Sequence, residues 1–352
     1  MESLRKRDAH LVNNWYVACL SKELKKKPLQ RLIYDHPLVL FRNPAGKVTC
    51  LPDRCLHRHA FLSGGEILKG QLICPYHGWA YNQEGEVVCV PSEGPGQSPA
   101  SSLKLKPFPC VEQDGVIWVW TGVDDLTVDT PPWRFPEAEN TKWINYFMVT
   151  DFENEVTHLA ENFLDVPHTI FVHRGWFRDE KAQAKKVPTL VETESGVVKV
   201  TYFQKEDEFS WGAQLLLNPG RDPMIHTDEF IMPNLTRVDY SFGEKNRFII
   251  NSQITPISTL KSRVYTYIAY KVPILGVLLK PLISFYTRKV IDQDVAIMKN
   301  QGDSFRLNPK TAFRSTEADE VHKEIERLRF YGVKGDEKAK SYKGKKEINF
   351  WI

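Results

Sequence analysis

Over the first third of the chain, apolar positions come in short runs separated by turn residues. Residues 38–41, 73–74, 86–89 and 116–120 are such runs, rich in β-branched and aromatic side chains that suit a pleated, half-buried surface. Between them lie Asn43-Pro44-Ala45-Gly46, Ser63-Gly64-Gly65 and Gln83-Glu84-Gly85, whose Gly and Asn accept backbone angles that other residues resist. The stretch from Trp15 to Trp120 therefore predicts a small antiparallel β domain. Residues 124–136, dense in Asp, Thr and Pro, read as a linker. The expected division is 1–123 for the first domain and 124–352 for the second.

Beyond the linker the periodicity changes. Residues 151–166 are helix-like. Residues 187–200, 200–209, 213–218, 236–242, 246–255 and 263–270 are β-like, with alternating Val, Tyr and Ile. Helical patterns return at 282–300 and 315–331. This order predicts an α+β protein in which a long, curved antiparallel sheet wraps a late helix. No internal repeat or low-complexity tract interrupts it.

Candidate chemistry sits first in the β domain. Cys55-Leu56-His57 is followed, sixteen residues on, by Cys74-Pro75-Tyr76-His77-Gly78-Trp79. Two thiolates and two imidazoles in mixed pairs fit a [2Fe–2S] cluster of Rieske type, with Cys₂ on one iron and His₂ on the other. Tetrahedral zinc is the rival, but zinc fingers usually pair Cys with Cys and His with His. Pro75 and Gly78 suit a tight loop that brings backbone N–H groups to sulfur. His59 reads as a loop residue near the site, and Trp79 and Trp120 as packing.

A second constellation lies at Glu161-Asn162-Phe163-Leu164-Asp165-Val166-Pro167-His168-Thr169-Ile170-Phe171-Val172-His173. Two His five apart do not share a face of a regular helix, where partners stand three or four apart. Pro167 disfavours helical geometry at Val166, so the helix should open there. Both imidazoles could then reach one metal. With a carboxylate they would make the facial triad of a non-haem Fe(II) oxygenase. Asp292 and Asp294 are the acids on the late helix that could supply it. Hydrogen-bonded core histidines and a solvated helix acid are the plain alternatives. His158 reads as a helix-surface or core histidine.

The segments CLHRHAFLSGGE and CPYHGWAYNQEGE resemble the Rieske domains of the Rieske non-haem iron aromatic-ring-hydroxylating oxygenases, and Asn162, Asp165, His168 and His173 match the family pattern Asn-x-x-Asp-x-x-His-x₄-His. The resemblance implies a Rieske domain over 1–123, with Cys55, His57, Cys74 and His77 as cluster ligands. It implies a catalytic domain over 124–352 with the helix-grip, START-like fold. His168, His173 and Asp294 become the mononuclear Fe(II) ligands, with Asp292 second choice for the third. Asp165, with Asn162 near it, becomes the bridge from His168 to the partner subunit's His77, which implies a head-to-tail ring, most often a homotrimer. The implied reaction activates O₂ against an apolar, aromatic or polycyclic small molecule. The short chain resembles the single-subunit monooxygenase and demethylase branch more than the ring dioxygenases. An electron carrier without oxygenase activity and a zinc-containing ligand-binding module are the alternatives.

Composition narrows the reading further. The chain has 352 residues, 42% of them hydrophobic, enough for two domains with sizeable cores. Lys+Arg 47 against Asp+Glu 44 gives a net charge of only +3, so nothing calls for nucleic acid. The basic end, with Lys338, Lys340, Lys343, Lys345 and Lys346, reads as a solvated tail. Six cysteines leave four outside the cluster at no tight spacing, which suits free thiols in a reducing, cytoplasmic setting. The longest apolar run, 272–286, contains Lys280 and two prolines and falls short of the ~20 residues a membrane span needs; it reads as a core helix. No Gly-x-Gly-x-x-Gly follows a strand, so electrons should come from a separate NAD(P)H-dependent reductase, directly or through a ferredoxin.

Overall fold

In the computed structural model of the protein, residues 11, 13–122, 131–179, 185–204, 209–243, 246–271, 276–309, 312–334 and 337–351 are described. The chain divides into two compact units, Val12–Phe135 and Pro136–Ile352, the latter joined by Leu11. Most of the expected linker, 124–130, lies outside the described residues.

The first unit is built from β1 (Trp15–Leu20), β2 (Leu29–Ile33), β3 (His36–Arg42), β4 (Val48–Pro52), β5 (Glu66–Leu68), β6 (Gln71–Ile73), β7 (Ala80–Tyr81), β8 (Val87–Cys89), β9 (Cys110–Gln113) and β10 (Val116–Trp120). They form three antiparallel sheets, ordered β1-β10-β9, β2-β3-β4 and β5-β6-β7-β8. Strand β3 explains its own unbroken apolar run. Side chains alternate across a strand, so Leu38 and Leu40 enter one core with Tyr16, Ile117 and Val119. Val39 and Phe41 enter another with Leu51, Leu72 and Tyr81. That second core also contains Cys55 and Cys74, so the packing that holds this sheet pair also anchors both Cys–His loops.

The second unit contains β11 (Ile144–Phe152), α1 (Val156–Leu164), α2 (Thr169–Val172), β12 (Lys186–Glu194), β13 (Val197–Tyr202), α3 (Trp211–Leu217), β14 (Met224–Ile231), β15 (Leu235–Phe242), β16 (Asn246–Ser258), β17 (Lys261–Lys271), α4 (Gly276–Leu307), α5 (Glu320–Val333), α6 (Lys338–Ser341) and β18 (Gly344–Trp351). Its strands make one eight-stranded antiparallel sheet in the order β11-β17-β16-β15-β14-β13-β12-β18. One face is read directly from β12, where Val187, Thr189, Val191 and Thr193 are buried at period two. Leu159, Ala160 and Leu164 of α1, Met298 of α4, and Ile325 and Leu328 of α5 pack in one core with Val191, Val198, Val200 and Phe350 of the sheet. The α+β architecture, a β-rich unit followed by a large antiparallel sheet with late helices, is as expected.

Several local expectations need correction. Of residues 213–218, expected as strand, 213–217 belong to helix α3, whose start is capped by the Ser210 hydroxyl accepting from the Ala213 N–H at 3.3 Å. A short apolar run does not distinguish a strand from one buried helical face. Of 151–166, the opening residues finish β11 and the helix begins only at Val156. The β-like stretch 200–209 is strand only to Tyr202, and 205–208 lie outside the described residues. The apolar run 272–286 is not a wholly buried helix: 272–275 are outside the described residues, and Val277 and Leu278 are exposed in α4. Among the described residues no helix is long and apolar enough to cross a membrane.

The basic end is not a free tail. Lys338 and Lys340 lie on α6, and the residues after Lys343 form edge strand β18, paired with β12 from Gly344↔Thr193 to Trp351↔Lys186. Ile348 and Phe350 turn inward and are 1% and 7% exposed. Burial of each is worth ~1.5–3 kcal/mol, against ~0–1 kcal/mol for a surface ion pair, so these two residues decide the fate of the segment. The lysines remain at the surface, Lys345 lying 3.0 Å from Glu192.

The junction of β11 and α1 is tied to α4. Fully buried Asn154 donates from Nδ2 to the Met298 carbonyl and to Gln301 Oε1, both at 2.9 Å. Beside it, Gly302 of α4 approaches so closely that a Cβ there would lie 2.0 Å from the Glu153 carbonyl oxygen. Helix propensity alone favours Gly→Ala by ~1 kcal/mol, but an overpacked contact against backbone costs ~1–3 kcal/mol. Gly302→Ala is therefore expected to lower the unfolding midpoint in urea. An unchanged or raised midpoint would show that this contact relaxes freely.

Candidate metal centres

The two Cys–His loops repeat one backbone design. In the first, after β4, the Cys55 N–H donates to the Ala60 carbonyl at 2.9 Å and the His59 N–H returns to the Cys55 carbonyl at 3.0 Å. In the second, after β6, Cys74 donates to Trp79 at 2.8 Å and Gly78 returns to Cys74 at 3.1 Å. Both turns need a left-handed residue at their fourth step, supplied by His59 at φ 58° and Gly78 at φ 73°. His59 thus shapes the loop.

Each loop brings one Cys and one His to the same place. Cys55 and Cys74 are 1% and 2% exposed, and the rings of His57 and His77 lie 4.5 Å apart, centroid to centroid. Trp79 stacks flat on His57 at 5.0 Å and covers it. The Tyr81 hydroxyl sits 3.2 Å from the Cys55 sulfur and accepts the Leu56 N–H at 2.9 Å. Burial raises the Cys74 thiol, and the N–H groups of Tyr76 and His77 work against that by favouring a thiolate. His57 Nδ1 is buried with no hydrogen-bond partner. An orphaned imidazole nitrogen beside two buried sulfurs and a second imidazole fits a [2Fe–2S] cluster of mixed ligation.

Among the remaining cysteines, burial pushes the Cys19 thiol up to about 12 and the Cys110 thiol up to about 11. Thiols held that high are poor nucleophiles and suit a packing role.

The second centre is made by the end of a helix. Glu155 caps α1, its carboxylate accepting from the Thr157 N–H at 2.9 Å and the His158 N–H at 3.2 Å. The helix stops at Asp165, whose φ of −89° and ψ of 102° are extended. Backbone bonds resume at Thr169 N–H to Val166 carbonyl, 3.0 Å, and the short turn α2 carries the chain to His173. The break turns both imidazoles to one point, with their Nε2 atoms 3.2 Å apart.

The late helix α4 delivers the acid. Asp294 Oδ1 lies 3.2 Å from His173 Nε2 and 3.6 Å from His168 Nε2. Asp292, the other candidate, is exposed. Metal–ligand bonds of about 2.0–2.2 Å give donor–donor separations of about 3.3 Å in a tetrahedron and less in an octahedron, and the three observed separations lie near that value. Asp294 Oδ1 is buried without a hydrogen-bond partner. Burial would raise its carboxyl, but the imidazoles of His168 and His173 outweigh this and hold it low. Burial pulls His168 down, and Asp165 and Asp294 outweigh it, lifting the imidazole to about 9. Two imidazole nitrogens and a carboxylate oxygen converge within 3.2–3.6 Å of one another, and this fits a divalent metal.

Two polar neighbours stand behind the imidazoles. Gln293 Oε1 lies 3.0 Å from His173 Nδ1, which donates to it and leaves Nε2 free to face a metal. Gln293 is a site residue that sequence reasoning left without a role; its one signal is an amide directly before the ligand acid. Asp165 Oδ2 accepts the His168 N–H at 3.2 Å and lies 3.5 Å from His168 Nδ1, while about a third of its side chain stays exposed. Asn162 is buried on α1 with Oδ1 unpaired, outside the triad. Of the apolar residues near the motif, Leu164 and Phe163 belong to the core, whereas Phe171 is 79% exposed and lines no interior.

Comparison with known proteins agrees with this layout. Residues 14–109 match the Rieske [2Fe-2S] domain, and residues 152–329 match the vanillate O-demethylase oxygenase C-terminal domain. The chain is 41% identical over 166 residues to the oxygenase component of dicamba O-demethylase from Stenotrophomonas maltophilia, covering 46% of this chain and 48% of that protein. It is 32% identical over 190 residues to the vanillate O-demethylase oxygenase subunit of Pseudomonas sp. (strain HR199 / DSM 7063), covering 51% and 50%. The chain thus spans about half the length of the curated relatives it matches. In structure it is similar to dicamba monooxygenase bound to dicamba, with a TM-score of 0.78 over 93% of this chain and 98% of that one at 23% identity, a likeness of fold. A domain model that covers half of the chain, an N-terminal Rieske match and relatives of one kind lead to the same place: the chain belongs to the Rieske oxygenases, in the group with the vanillate O-demethylase type of catalytic domain.

Proposed function

We propose that the protein is a terminal oxygenase that hydroxylates or oxidatively demethylates an apolar or aromatic small molecule, in the manner of a monooxygenase. The observation that carries this reading is the convergence of His168, His173 and Asp294 Oδ1 within 3.2–3.6 Å of one another, in a chain that also carries the Cys–His loops. Cys55, His57, Cys74 and His77 would hold the [2Fe–2S] cluster, and His168, His173 and Asp294 the mononuclear Fe(II). When bound, the cluster supplies single electrons and the Fe(II) supplies activation of O₂.

The chain's own residues prepare that chemistry. Gln293 fixes the tautomer of His173, and the Asp165 carboxylate stands 3.5 Å from Nδ1 of His168. Buried Asp294 contributes the negative charge that neutralises half of a divalent ion. Trp79 and Tyr81 shield the first site. His77 remains exposed at the tip of its loop. Exposed His77 and partly exposed Asp165 support a head-to-tail homotrimer in which Asp165 meets the partner subunit's His77. The thiols are free and several are buried, which supports a reducing, cytoplasmic setting. Electrons would come from a separate NAD(P)H-dependent reductase, with or without a ferredoxin. The dicamba and vanillate O-demethylases among the relatives support an O-methylated aromatic as the substrate class to try first.

The function is tested by reconstituting the holoprotein with a reductase and assaying O-methylated aromatic acids for formaldehyde release. Turnover of one of these coupled to O₂ uptake is expected; cluster reduction without O₂ uptake on any apolar or aromatic substrate would favour a carrier. Asp165→Asn is expected to keep both iron centres while turnover falls about 10–100-fold or more, the range for losing a carboxylate behind a metal-bound His. Normal turnover in that variant would remove Asp165 from the electron path. His168→Ala and Asp294→Ala are each expected to lose the mononuclear iron and all product while the cluster's visible absorbance persists. Retention of that iron in either variant would refute the triad.

A further inference from the structure

We infer that His158, Glu161 and His322 form a second metal site, separate from the two described above, that takes one divalent cation of the zinc type and ties α1 to α5. His158 and Glu161 stand three apart on α1 and share a face of it. His322 comes from α5. One donor atom from each lies within 4.8 Å of the other two.

The polarity of the cluster points to a cation. Oε2 of Glu161 lies 3.9 Å from His158 Nδ1 and 2.8 Å from His322 Nδ1. Both Nδ1 atoms are buried, and neither makes a hydrogen bond; the shorter approach lies off the N–H direction. The far nitrogen of each ring faces a different carboxylate, His158 Nε2 with Glu155 Oε1 at 3.3 Å and His322 Nε2 with Glu326 Oε1 at 3.4 Å. A metal-bound imidazole habitually gives its other N–H to a carboxylate. With both Nε2 atoms protonated, two Nδ1 lone pairs and a carboxylate oxygen face one another, which is unfavourable until something positive lies between them.

Size and surroundings agree. Separations of 2.8 and 3.9 Å bracket the roughly 3.3 Å edge of a tetrahedron with metal bonds of about 2.0–2.1 Å. A cavity of about 20 Å³, room for about one water, borders Glu161 and His322 but not His158. Two imidazoles, one carboxylate and a water complete a four-coordinate zinc set. Phe305 stacks on His158 at 4.7 Å, and Phe313 stands edge-on to His158 at 5.2 Å and to His322 at 5.8 Å. These rings place apolar surface on one side of both imidazoles. The rival occupant is a proton, which would leave an imidazolium on His322 paired with the Glu161 carboxylate.

The clamp would brace the helix whose end presents Asp165 and His168, and so would hold that break in place without touching the triad. The test is metal analysis of the holoprotein incubated with Zn²⁺ and desalted, together with diffraction at the zinc edge. One bound zinc is expected, with its anomalous peak among His158, Glu161 and His322. Glu161→Gln and His322→Asn should each lose that zinc while keeping the Rieske absorbance and the mononuclear iron. His168→Ala should keep the zinc, which separates this site from the triad. No zinc retained after desalting, a peak elsewhere, or zinc retained in both Glu161→Gln and His322→Asn would overturn the site. If either variant fails to fold, the wild-type anomalous peak decides alone.

Discussion

A single backbone constraint shapes the catalytic unit. Proline clashes with a helical conformation at the residue before it, and Pro167 therefore ends α1 just as Asp165 leaves helical geometry. An uninterrupted helix would spread His168 and His173 around its axis. The break lets a second short turn bring their Nε2 atoms to 3.2 Å. The core does the rest: Leu159, Ala160 and Leu164 fasten α1 to the sheet and to α5, and Met298 brings α4, with Asp294 four residues ahead of it, against the same core. The site is thus the meeting of a broken helix and an unbroken one, each fixed by apolar packing outside the site itself.

Much of this was legible in the sequence where chemistry and local geometry coincide. The Cys–His loops could be read because the cluster requires those residue types at tight turns, and the turns require Gly78 and a left-handed His59. His168 and His173 could be read because Pro167 excuses a spacing that a helix would forbid. Asp294 was distinguished from Asp292 by resemblance alone; the structure separates them by burial, since one points into the core and the other to water.

What was illegible depended on tertiary partners. The lysine-rich end looks solvated because its lysines are; only Ile348 and Phe350, finding the edge beside β12, make it a strand. Residues 213–218 carry no period that separates strand from helix, and Ser210 settles the matter through its cap. His158 carried no signal at all, because Glu155 and Glu161 are local but His322 arrives from more than 150 residues away, on α5. Gln293 became meaningful only when its amide was seen 3.0 Å from His173. Long-range pairings of this kind leave no periodic trace in the chain.

The central claim is that one chain holds both an electron-transfer centre and an open ferrous site. The most direct measurement is low-temperature EPR on protein purified without oxygen, reduced with dithionite, then exposed to nitric oxide, which marks a ferrous ion with an open coordination position. The account predicts a Rieske-type signal on reduction and a high-spin ferrous–nitrosyl signal of about equal spin from the same sample. A Rieske signal with no nitrosyl signal, in protein shown to be folded and iron-replete, would contradict it.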